Sequence, residues 1–352
     1  NADPLKKFFL LSLPVGTGKS HLALMISEWY RKNVNRTARV DVITNSKILQ
    51  DQYADTYESI SDLKGKDNYE CVQYSCSCAQ GAEFNRLNKT SCESCPYSNA
   101  RESYMGGGLS LTNFYLYILY AMYNPKLMEN RGARVLIVDE AHDFDDVMSD
   151  FVSIRMTEGI IKKFTFADEK SIIKNLKSVS NISQYVSFLR LLGSEITSTI
   201  ESMENGINSK SRNVREDKRD LKLNKLFKSK NSDVKLMQLV SDLKQYQVKI
   251  ELFLKEYKEN PNNWVLESGY NEKLKQKELS LEPIWAYDYL DKYVFSNYDM
   301  VFLMSGTILD KNLFCQLNGL DIKKAAYYSI ESPFPVKNRP IFYMPLGKMS
   351  YK

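Results

Sequence analysis

The most constraining feature of this sequence is an apolar run followed by a glycine-bearing loop and a helical pattern. The run FFLL occupies residues 8–11, the loop LPVGTGKS residues 13–20, and the pattern HLALMI residues 21–26. A short strand, a loop ending in Gly-Lys-Ser and an amphipathic helix are the context that a phosphate-binding loop requires. The strict pattern has glycine where this chain has Leu13, so a chance Gly-Lys-Ser stays open for this stretch alone.

The residue types in this loop predict how it would hold a nucleotide. Glycines allow backbone N–H groups to turn inward around phosphate oxygens, and the N-terminus of the next helix adds a favourable dipole. Lys19 would reach the β- and γ-phosphates, and Ser20 would place its hydroxyl on Mg²⁺. We therefore expect the site to comprise Gly16, Thr17, Gly18, Lys19 and Ser20.

A second motif supports the first. Residues 133–142 read ARVLIVDEAH, a β-branched apolar run that ends in two adjacent acids. This pattern is typical of a buried parallel strand that delivers carboxylates at its C-terminal end. Asp139 is the expected Mg²⁺ ligand, and Glu140 is expected to orient and deprotonate the attacking water. Together the two motifs favour a nucleotide-hydrolysing α/β domain over a chance match.

Composition sets wider bounds. The chain has 352 residues and 43% hydrophobic residues, which allows about two or three globular domains. A membrane span and a secretory signal are not apparent, so we expect an intracellular protein. The net charge of +5 is compatible with a polyanionic partner without requiring one. The first residue, Asn1, is not Met, and we expect upstream residues to have been left out.

A polar segment near residues 63–105 holds five of the six cysteines: Cys71, Cys76, Cys78, Cys92 and Cys95. Such a segment lacks the aliphatic residues for a core of its own, so a covalent or metallic group is expected to order it. Stable disulfides are not expected in an intracellular protein. A Cys₄ zinc site, an iron–sulfur cluster and free thiols all remain open. The spacing of Cys92 and Cys95, with Cys76 or Cys78, slightly favours zinc.

Polar residues end several of the predicted strands. Thr44 follows the run at 38–43, and Gln52 lies in the helix start that comes next; both are candidate contacts to a nucleic-acid backbone, with a local helix cap as the alternative. Asn113 ends a strand at 109–113, and Ser305 and Thr307 end the apolar run at 300–304. One further strand is predicted at 340–344.

The segment from 143 to about 281 changes in character. It has few β-branched runs, and its apolar residues recur at helical spacing. The charged stretch 212–235 is predicted to be solvated. We expect an all-helical insertion between two parts of the α/β sheet.

Six blocks of the sequence occur in the order seen in the XPD/DinG helicases. They are the phosphate loop, LQDQ at 49–52, CPYSNAR at 95–101, VDEAH at 138–142, SGT at 305–307 and SPFP at 332–335. The chain resembles these iron–sulfur-containing superfamily 2 DEAH-box DNA helicases over nearly its whole length, and DinG-like members most.

The resemblance implies a RecA-like P-loop parallel sheet with a cysteine-rich cluster insertion and a mainly helical arch insertion. The first motor domain would comprise residues 1–64, 105–144 and 284–330, the cluster domain 65–104 and the arch 145–283. Residues 331–352 would begin a second motor domain. The remainder of that domain, with its arginine finger, would be missing, so we expect this polypeptide alone to hydrolyse ATP weakly and not to unwind DNA.

The resemblance favours an iron–sulfur cluster over the zinc site that the cysteine spacing favours. It implies a [4Fe-4S] cluster on Cys71, Cys78, Cys92 and Cys95, with Cys76 as the alternative to Cys78. The arch and the cluster domain would frame a hole for single-stranded DNA.

The mechanism implied by the resemblance is 5′–3′ translocation on single-stranded DNA driven by ATP and Mg²⁺, with action at single-strand/duplex junctions. Asp139 would hold the metal through water, and coupling of nucleotide state to DNA grip would fall to His142, Ser305 and Thr307. We expect a monomer without membrane association, with the arch open to a protein partner. The expected location is the nucleoid-associated cytoplasm in a prokaryote or virus, or the nucleus in a eukaryote.

Two other functions fit the same residues. One is a nucleic-acid-binding or protein-docking module with a vestigial ATPase, and the other is a zinc-bearing P-loop ATPase.

Overall fold

The apolar runs predicted to be strands lie side by side in one parallel sheet. The computed structural model describes residues 6–164, 168–208, 232–271 and 276–335. Its strands are β1 (Phe8–Ser12), β2 (Arg39–Thr44), β3 (Ser61–Asp62), β4 (Leu109–Asn113), β5 (Ala133–Asp139), β6 (Ile154–Thr157), β7 (Trp264–Asn271), β8 (Gln276–Pro283), β9 (Met300–Ser305) and β10 (Ala325–Ser329). Seven of them form the sheet in the order β10-β1-β9-β5-β2-β4-β3.

Helices cover both faces of this sheet. The helices are α1 (Lys19–Asn33), α2 (Lys47–Thr56), α3 (Cys78–Asn88), α4 (Pro96–Gly106), α5 (Phe114–Tyr123), α6 (Pro125–Arg131), α7 (Phe144–Val152), α8 (Glu158–Phe164), α9 (Glu169–Ser178), α10 (Ile182–Asn208), α11 (Ser232–Glu259), α12 (Tyr287–Tyr293) and α13 (Lys311–Leu317). None of the helices in the described ranges is long and apolar enough to cross a membrane.

Burial on both faces explains why these strands were recognisable. Along β5, Leu136 and Val138 pack into one apolar core while Val135 and Ile137 pack into the other, and all four are fully buried. A strand covered on both sides has a continuous apolar sequence rather than an alternating one. The predicted α/β class with a parallel sheet is confirmed.

All strand pairs in the large sheet are parallel, so their carboxyl ends share one edge. The register pairs Ser12 with Ser305 and Asp139 with Met304. The phosphate loop, the acids after β5 and the hydroxyl residues after β9 therefore start from neighbouring strand ends. In open parallel sheets this edge is where ligands bind.

The insertion at 145–283 is mainly helical but not entirely so. Helices α10 and α11 carry 27 and 28 residues, yet β6, β8 and β7 form a three-stranded antiparallel sheet. The expectation of an all-helical insertion was wrong in this respect. Strands β7 and β8 contain few β-branched residues, and β8 also pairs with the distant β6, with Ile154 opposite Leu281. Local sequence patterns do not show such long-range pairing.

Two predictions fall wholly or partly on residues that the structure does not describe. The strand predicted at 340–344 lies outside the described residues, as does most of the charged stretch at 212–235. Of the segment 331–352, only residues 331–335 are described.

A buried ion pair fastens the amino-terminal edge of the sheet. Arg131, at the end of α6, is fully buried and its guanidinium contacts the carboxylate of Asp41 on β2. It also donates to the carbonyl oxygens of Tyr104 and Gly107, at 2.6 and 2.9 Å. Tyr298 donates to the other oxygen of Asp41, at 2.7 Å. Because each charge has several partners, this pair can exist without water.

Candidate nucleotide-binding site

The loop between β1 and α1 has the backbone geometry that its glycines predict. Gly16 and Gly18 have φ angles of +83° and +79°, in the left-handed region that favours glycine. The hydroxyl of Thr17 donates to the carbonyl oxygen of Pro14 at 2.7 Å. Leu13, the departure from the strict motif, is buried in the core and its N–H donates to the carbonyl oxygen of Ser305 at 2.8 Å. Its side chain therefore packs beneath the loop.

The loop lysine and the acid after β5 meet directly. The Nζ atom of Lys19 donates to Oε1 of Glu140 at 2.7 Å, and the two side chains are only 12% and 21% exposed. The structure thus brings together the two motifs that the sequence places 121 residues apart. Glu140 has a φ angle of +56°, which is costly for a residue with a side chain. Strained backbone of this kind is concentrated at functional sites.

Both oxygens of Asp139 accept hydrogen bonds. Oδ1 accepts the N–H of Glu140 and Oδ2 accepts the hydroxyl of Tyr53, each at 3.0 Å. Asp139 is 2% exposed. Burial raises the pKa of Asp139, against the opposing effects of the Tyr53 hydrogen bond and the Lys19 charge. Burial likewise raises the pKa of Tyr53 far above its usual range, while its hydrogen bond with Ser20 acts in the opposite direction.

Ser20 and Asp139 are the side chains that would hold Mg²⁺. Within the described ranges, no group of three or more His, Cys, Asp or Glu residues is arranged to hold a metal ion. Mg²⁺ keeps several waters and usually binds through one or two carboxylates together with substrate phosphates. A hydroxyl and a buried carboxylate beside a phosphate loop therefore fit a magnesium ion that arrives with the nucleotide.

A chain of hydrogen bonds leads from this site to the end of β9. Nδ1 of His142 lies 2.9 Å from Oγ of Ser305, which lies 3.0 Å from Oγ1 of Thr307. The same His142 atom is 3.5 Å from Oε2 of Glu140. The three residues predicted to couple nucleotide state to DNA grip are thus in contact with each other and with the expected general base.

The other three residues predicted to contact nucleic acid, Thr44, Asn113 and Gln52, each have a different environment. Thr44 is fully buried and donates to the carbonyl oxygen of Ser46 at 3.0 Å. Asn113 caps α5 by accepting the N–H of Leu116 at 3.0 Å, and its amide donates to Gln50 at 3.2 Å. Gln52 is exposed on α2. A contact between any of these three residues and nucleic acid stays a prediction.

Sequence reasoning missed Tyr53 and Gln50, which both turn inward from α2. Gln50 is fully buried and donates to the carbonyl oxygen of Leu63 at 2.9 Å. Tyr53 is 1% exposed and reaches Asp139, which lies 86 positions away in the sequence. Helical spacing places residues 50 and 53 on one face, but only the fold shows that this face points at the site.

The cysteines of segment 65–104 lie close enough to influence one another: Cys71 and Cys95 both act on the pKa of Cys78 and on the pKa of Cys92. Sγ of Cys78 lies 4.0 Å from Sγ of Cys95, and the N–H of Cys71 donates to the carbonyl oxygen of Cys76 at 2.9 Å. Cys71 and Cys78 are buried, whereas Cys76, Cys92 and Cys95 are partly exposed.

The thiols of Cys78 and Cys95 have opposite pKa shifts. Burial raises the pKa of Cys78 to about 11. Burial acts in the same direction on Cys95, but hydrogen bonds from Ser98 outweigh it and lower its pKa. Cys95 is the N-cap of α4, and a helix N-terminus stabilises a thiolate. Cysteine thiolates are the usual ligands of an iron–sulfur cluster, but within the described residues no three of these cysteines are arranged to hold a metal ion.

The fold and this site define a RecA-like P-loop domain built on a parallel sheet. Residues 2–174 match the family model described as "Type III restriction enzyme, res subunit", ResIII. The first half of the chain is therefore similar to a helicase-type domain. No curated protein matches the sequence significantly.

Solved structures with similar folds include two of XPD. One, described as "XPD_Helicase", is 14% identical with a TM-score of 0.47 over 93% of this chain. Another, described as "XPD_APO", is 12% identical with a TM-score of 0.46 over 92% of this chain. This chain spans 60% and 55% of the lengths of those two chains.

Proposed function

We propose that this chain binds ATP and Mg²⁺ at the loop 13–20 and belongs to a DNA helicase that couples ATP hydrolysis to 5′–3′ movement on single-stranded DNA. The observation that carries the proposal is the 2.7 Å contact between Lys19 and Glu140. A phosphate-binding lysine and a candidate general base face each other across the carboxyl edge of the parallel sheet. The similarity of residues 2–174 to the ResIII model supports the helicase class.

The Lys19–Glu140 pair suggests how nucleotide binding prepares hydrolysis. A triphosphate carries more negative charge than one carboxylate, so its β- and γ-phosphates compete for the Lys19 ammonium. Glu140 then loses its partner and becomes free to accept a proton. Water attacks the γ-phosphorus, the bond to the β-phosphate oxygen breaks, and Glu140 takes the proton of the water. Bound Mg²⁺ would neutralise charge on the phosphate oxygens.

Two substitutions separate binding from hydrolysis. Lys19→Ala removes a charged donor to phosphate and is expected to weaken ATP binding about 10- to 100-fold. Glu140→Gln removes the base but keeps the loop, so ATP binding is retained while any hydrolysis falls by roughly 10²- to 10⁴-fold. Fluorescent ATP binding and phosphate release measure the two steps. Lys64→Ala, which removes a lysine paired with Asp51 away from the loop, is the control. Equal binding by wild type and Lys19→Ala would contradict the proposal.

Movement on DNA needs its own test. Unwinding by the full-length protein, which we expect to carry the second motor domain, is compared on duplexes with a 5′ or a 3′ single-stranded tail. The proposed polarity requires the 5′-tailed duplex to be the substrate. The vestigial-ATPase alternative predicts that Glu140→Gln leaves DNA binding and every DNA-dependent phenotype intact. A helicase instead loses unwinding and keeps DNA binding.

For segment 65–104 we propose a [4Fe-4S] cluster held by Cys71, Cys78, Cys92 and Cys95, with Cys76 in place of Cys78 as the alternative. Four thiolates are the usual cluster ligands. One observation favours the zinc alternative: the 4.0 Å between the sulfurs of Cys78 and Cys95 is close to the ~3.8 Å expected for two thiolates on one tetrahedral zinc ion.

Metal analysis after anaerobic purification decides between iron and zinc. A cluster gives iron, sulfide and broad absorbance near roughly 400 nm, whereas zinc gives a colourless protein. Cys71→Ser should reduce the content of whichever metal is bound, and Cys315→Ser should leave it unchanged, because Cys315 is buried in the core far along the chain.

A further inference from the structure

Tyr53 stands out among the buried polar groups because it reaches the proposed metal site from a separate element. It projects from α2, which belongs neither to the phosphate loop nor to the acid motif after β5. Its hydroxyl donates to Oδ2 of Asp139 at 3.0 Å, and Ser20 is near enough to act on its pKa. The phenol therefore contacts the carboxylate that would hold Mg²⁺ and lies near the hydroxyl that would hold it too.

The contact fixes the carboxylate of Asp139. Its other oxygen already accepts the N–H of Glu140 at 3.0 Å, so with Tyr53 both oxygens are engaged and the carboxylate plane cannot rotate freely. A ligand held in one orientation binds its metal more tightly, since the cost of ordering it is met when the protein folds. The Tyr53 ring is 1% exposed, so packing holds the hydroxyl in place.

Tyr57, four residues later in the sequence, provides a natural comparison. Its hydroxyl is buried and has no hydrogen-bond partner among the described residues, and its ring packs edge-on against His21 with 5.6 Å between ring centroids. The two tyrosines thus lie in neighbouring positions and share the same chemistry, but only Tyr53 contacts the metal-site residues.

We propose that Tyr53 is a positioning residue for magnesium, acting through Asp139 and Ser20 rather than by contact with the nucleotide. This inference rests on the proposed function, because it concerns the Mg²⁺ that accompanies ATP. It assigns to α2 a role in metal affinity that the phosphate loop and the acid motif do not supply alone.

The test measures ATP binding as a function of Mg²⁺ concentration, with fluorescent ATP as the probe. Tyr53→Phe is expected to raise the Mg²⁺ concentration needed for half-maximal enhancement of binding by about 10- to 100-fold, as for other residues that orient metal ligands. Binding measured in excess EDTA should be unchanged, because the phosphate loop is intact. Tyr57→Phe, the matched control, should behave as wild type in both conditions.

Each other outcome has a distinct meaning. If Tyr53→Phe and wild type need the same Mg²⁺ concentration, the positioning role is wrong. If Tyr53→Phe loses ATP binding equally with and without Mg²⁺, Tyr53 supports the fold of the site and the proposal is again overturned. If wild type binds ATP neither with Mg²⁺ nor in excess EDTA, the proposed function itself is wrong. Comparing Tyr53→Phe with wild type would not reveal this by itself.

Discussion

At the scale of single residues, the site depends on backbone conformations that most side chains avoid. Within the described ranges, Lys89 and Glu140 are the non-glycine residues with positive φ. For Glu140 this conformation costs about 1–2 kcal/mol, and it places the carboxylate against Lys19. The strained residue is thus the one to which hydrolysis is assigned.

The two loop glycines give a matched pair of variants. Both have positive φ, but a Cβ atom on Gly16 would lie 2.7 Å from the ring of Phe334, whereas nothing lies within 4 Å of one on Gly18. Each alanine variant should lose about 1–2 kcal/mol of unfolding free energy through backbone strain. Only Gly16→Ala should also displace the aromatic ring.

Tryptophan fluorescence can report this displacement in a Phe334→Trp background. Gly16→Ala should shift the emission of the new tryptophan to the red, because the ring is pushed into water, and Gly18→Ala should not. Identical spectra for the two alanine variants would mean that residue 334 does not rest on the loop in solution.

Some residues of the site could be predicted because they belong to local sequence motifs, and others could not because their partners are distant in the sequence. Lys19, Asp139 and Glu140 belong to short motifs whose residue order carries the chemistry, and the sequence alone was enough to pair them. Tyr53 has no local signal, because its partner lies on a strand that follows 86 positions later. Burial of Thr44 was not foreseen either, since a strand end can face solvent or the next helix.

At the scale of elements, the buried pair of Arg131 and Asp41 joins α6 to β2 and to the turn before β4. Its stability contribution is best seen by breaking it. Arg131→Ala should lower the unfolding free energy by about 3–5 kcal/mol, because it would leave the carboxyl of Asp41 buried without its ion-pair partner. Thermal or urea unfolding measures the loss.

Arg134→Ala is the control for this prediction. Arg134 pairs with Asp299 at 3.6 Å, but the two side chains are 56% and 57% exposed, so the variant should lose at most about 1 kcal/mol. Similar losses for the two variants would show that burial of Arg131 adds nothing.

Burial of the strand faces explains which strands could be predicted from the sequence. The strands of the parallel sheet are continuous apolar runs because both their faces are covered, as Val135 and Leu136 show on β5. The β7–β8 pair is exposed on both faces over part of its length: Val265 is 43% exposed and Tyr270, on the opposite face of β7, is 58% exposed. Polar and glycine residues are accepted there, so these strands resemble loops in sequence.

At the scale of the whole molecule, the cysteine segment is docked on the long helices of the insertion by charge. Glu83 on α3 accepts from Lys244 on α11 at 2.9 Å. Lys244 also lies 3.2 Å from Glu204 on α10, which pairs with Arg86 of α3. Four charges thus connect three helices.

Acid should loosen this contact. Burial acts to raise the pKa of Glu83, but hydrogen bonds from Lys244 and Arg86 outweigh it and hold the pKa below its ordinary value of 4.5. A lowered pKa means that the stabilisation is present above 4.5 and is lost as the pH falls through the pKa of the folded state. The protection of α3 amides, measured relative to the intrinsic exchange rate at each pH, should therefore fall through this pH range.

Glu83→Gln removes the titrating group, so exchange of α3 should be faster at neutral pH and respond less to acid. Glu259→Gln is the control, because Glu259 pairs with Lys292 at the end of α11 and away from α3. An α3 that exchanges equally in wild type and Glu83→Gln at every pH would contradict the docking role.

The register of β1 has a consequence for how the protein is made. Phe8 pairs with Val301 on one side and with Ala325 on the other, so both strand partners of β1 in the described sheet lie far downstream of it in the sequence. Bacterial and eukaryotic ribosomes add roughly 5–20 residues per second. Until β9 and β10 have been translated, the apolar β1 has neither of these strand partners, and an unpaired apolar strand is prone to aggregation.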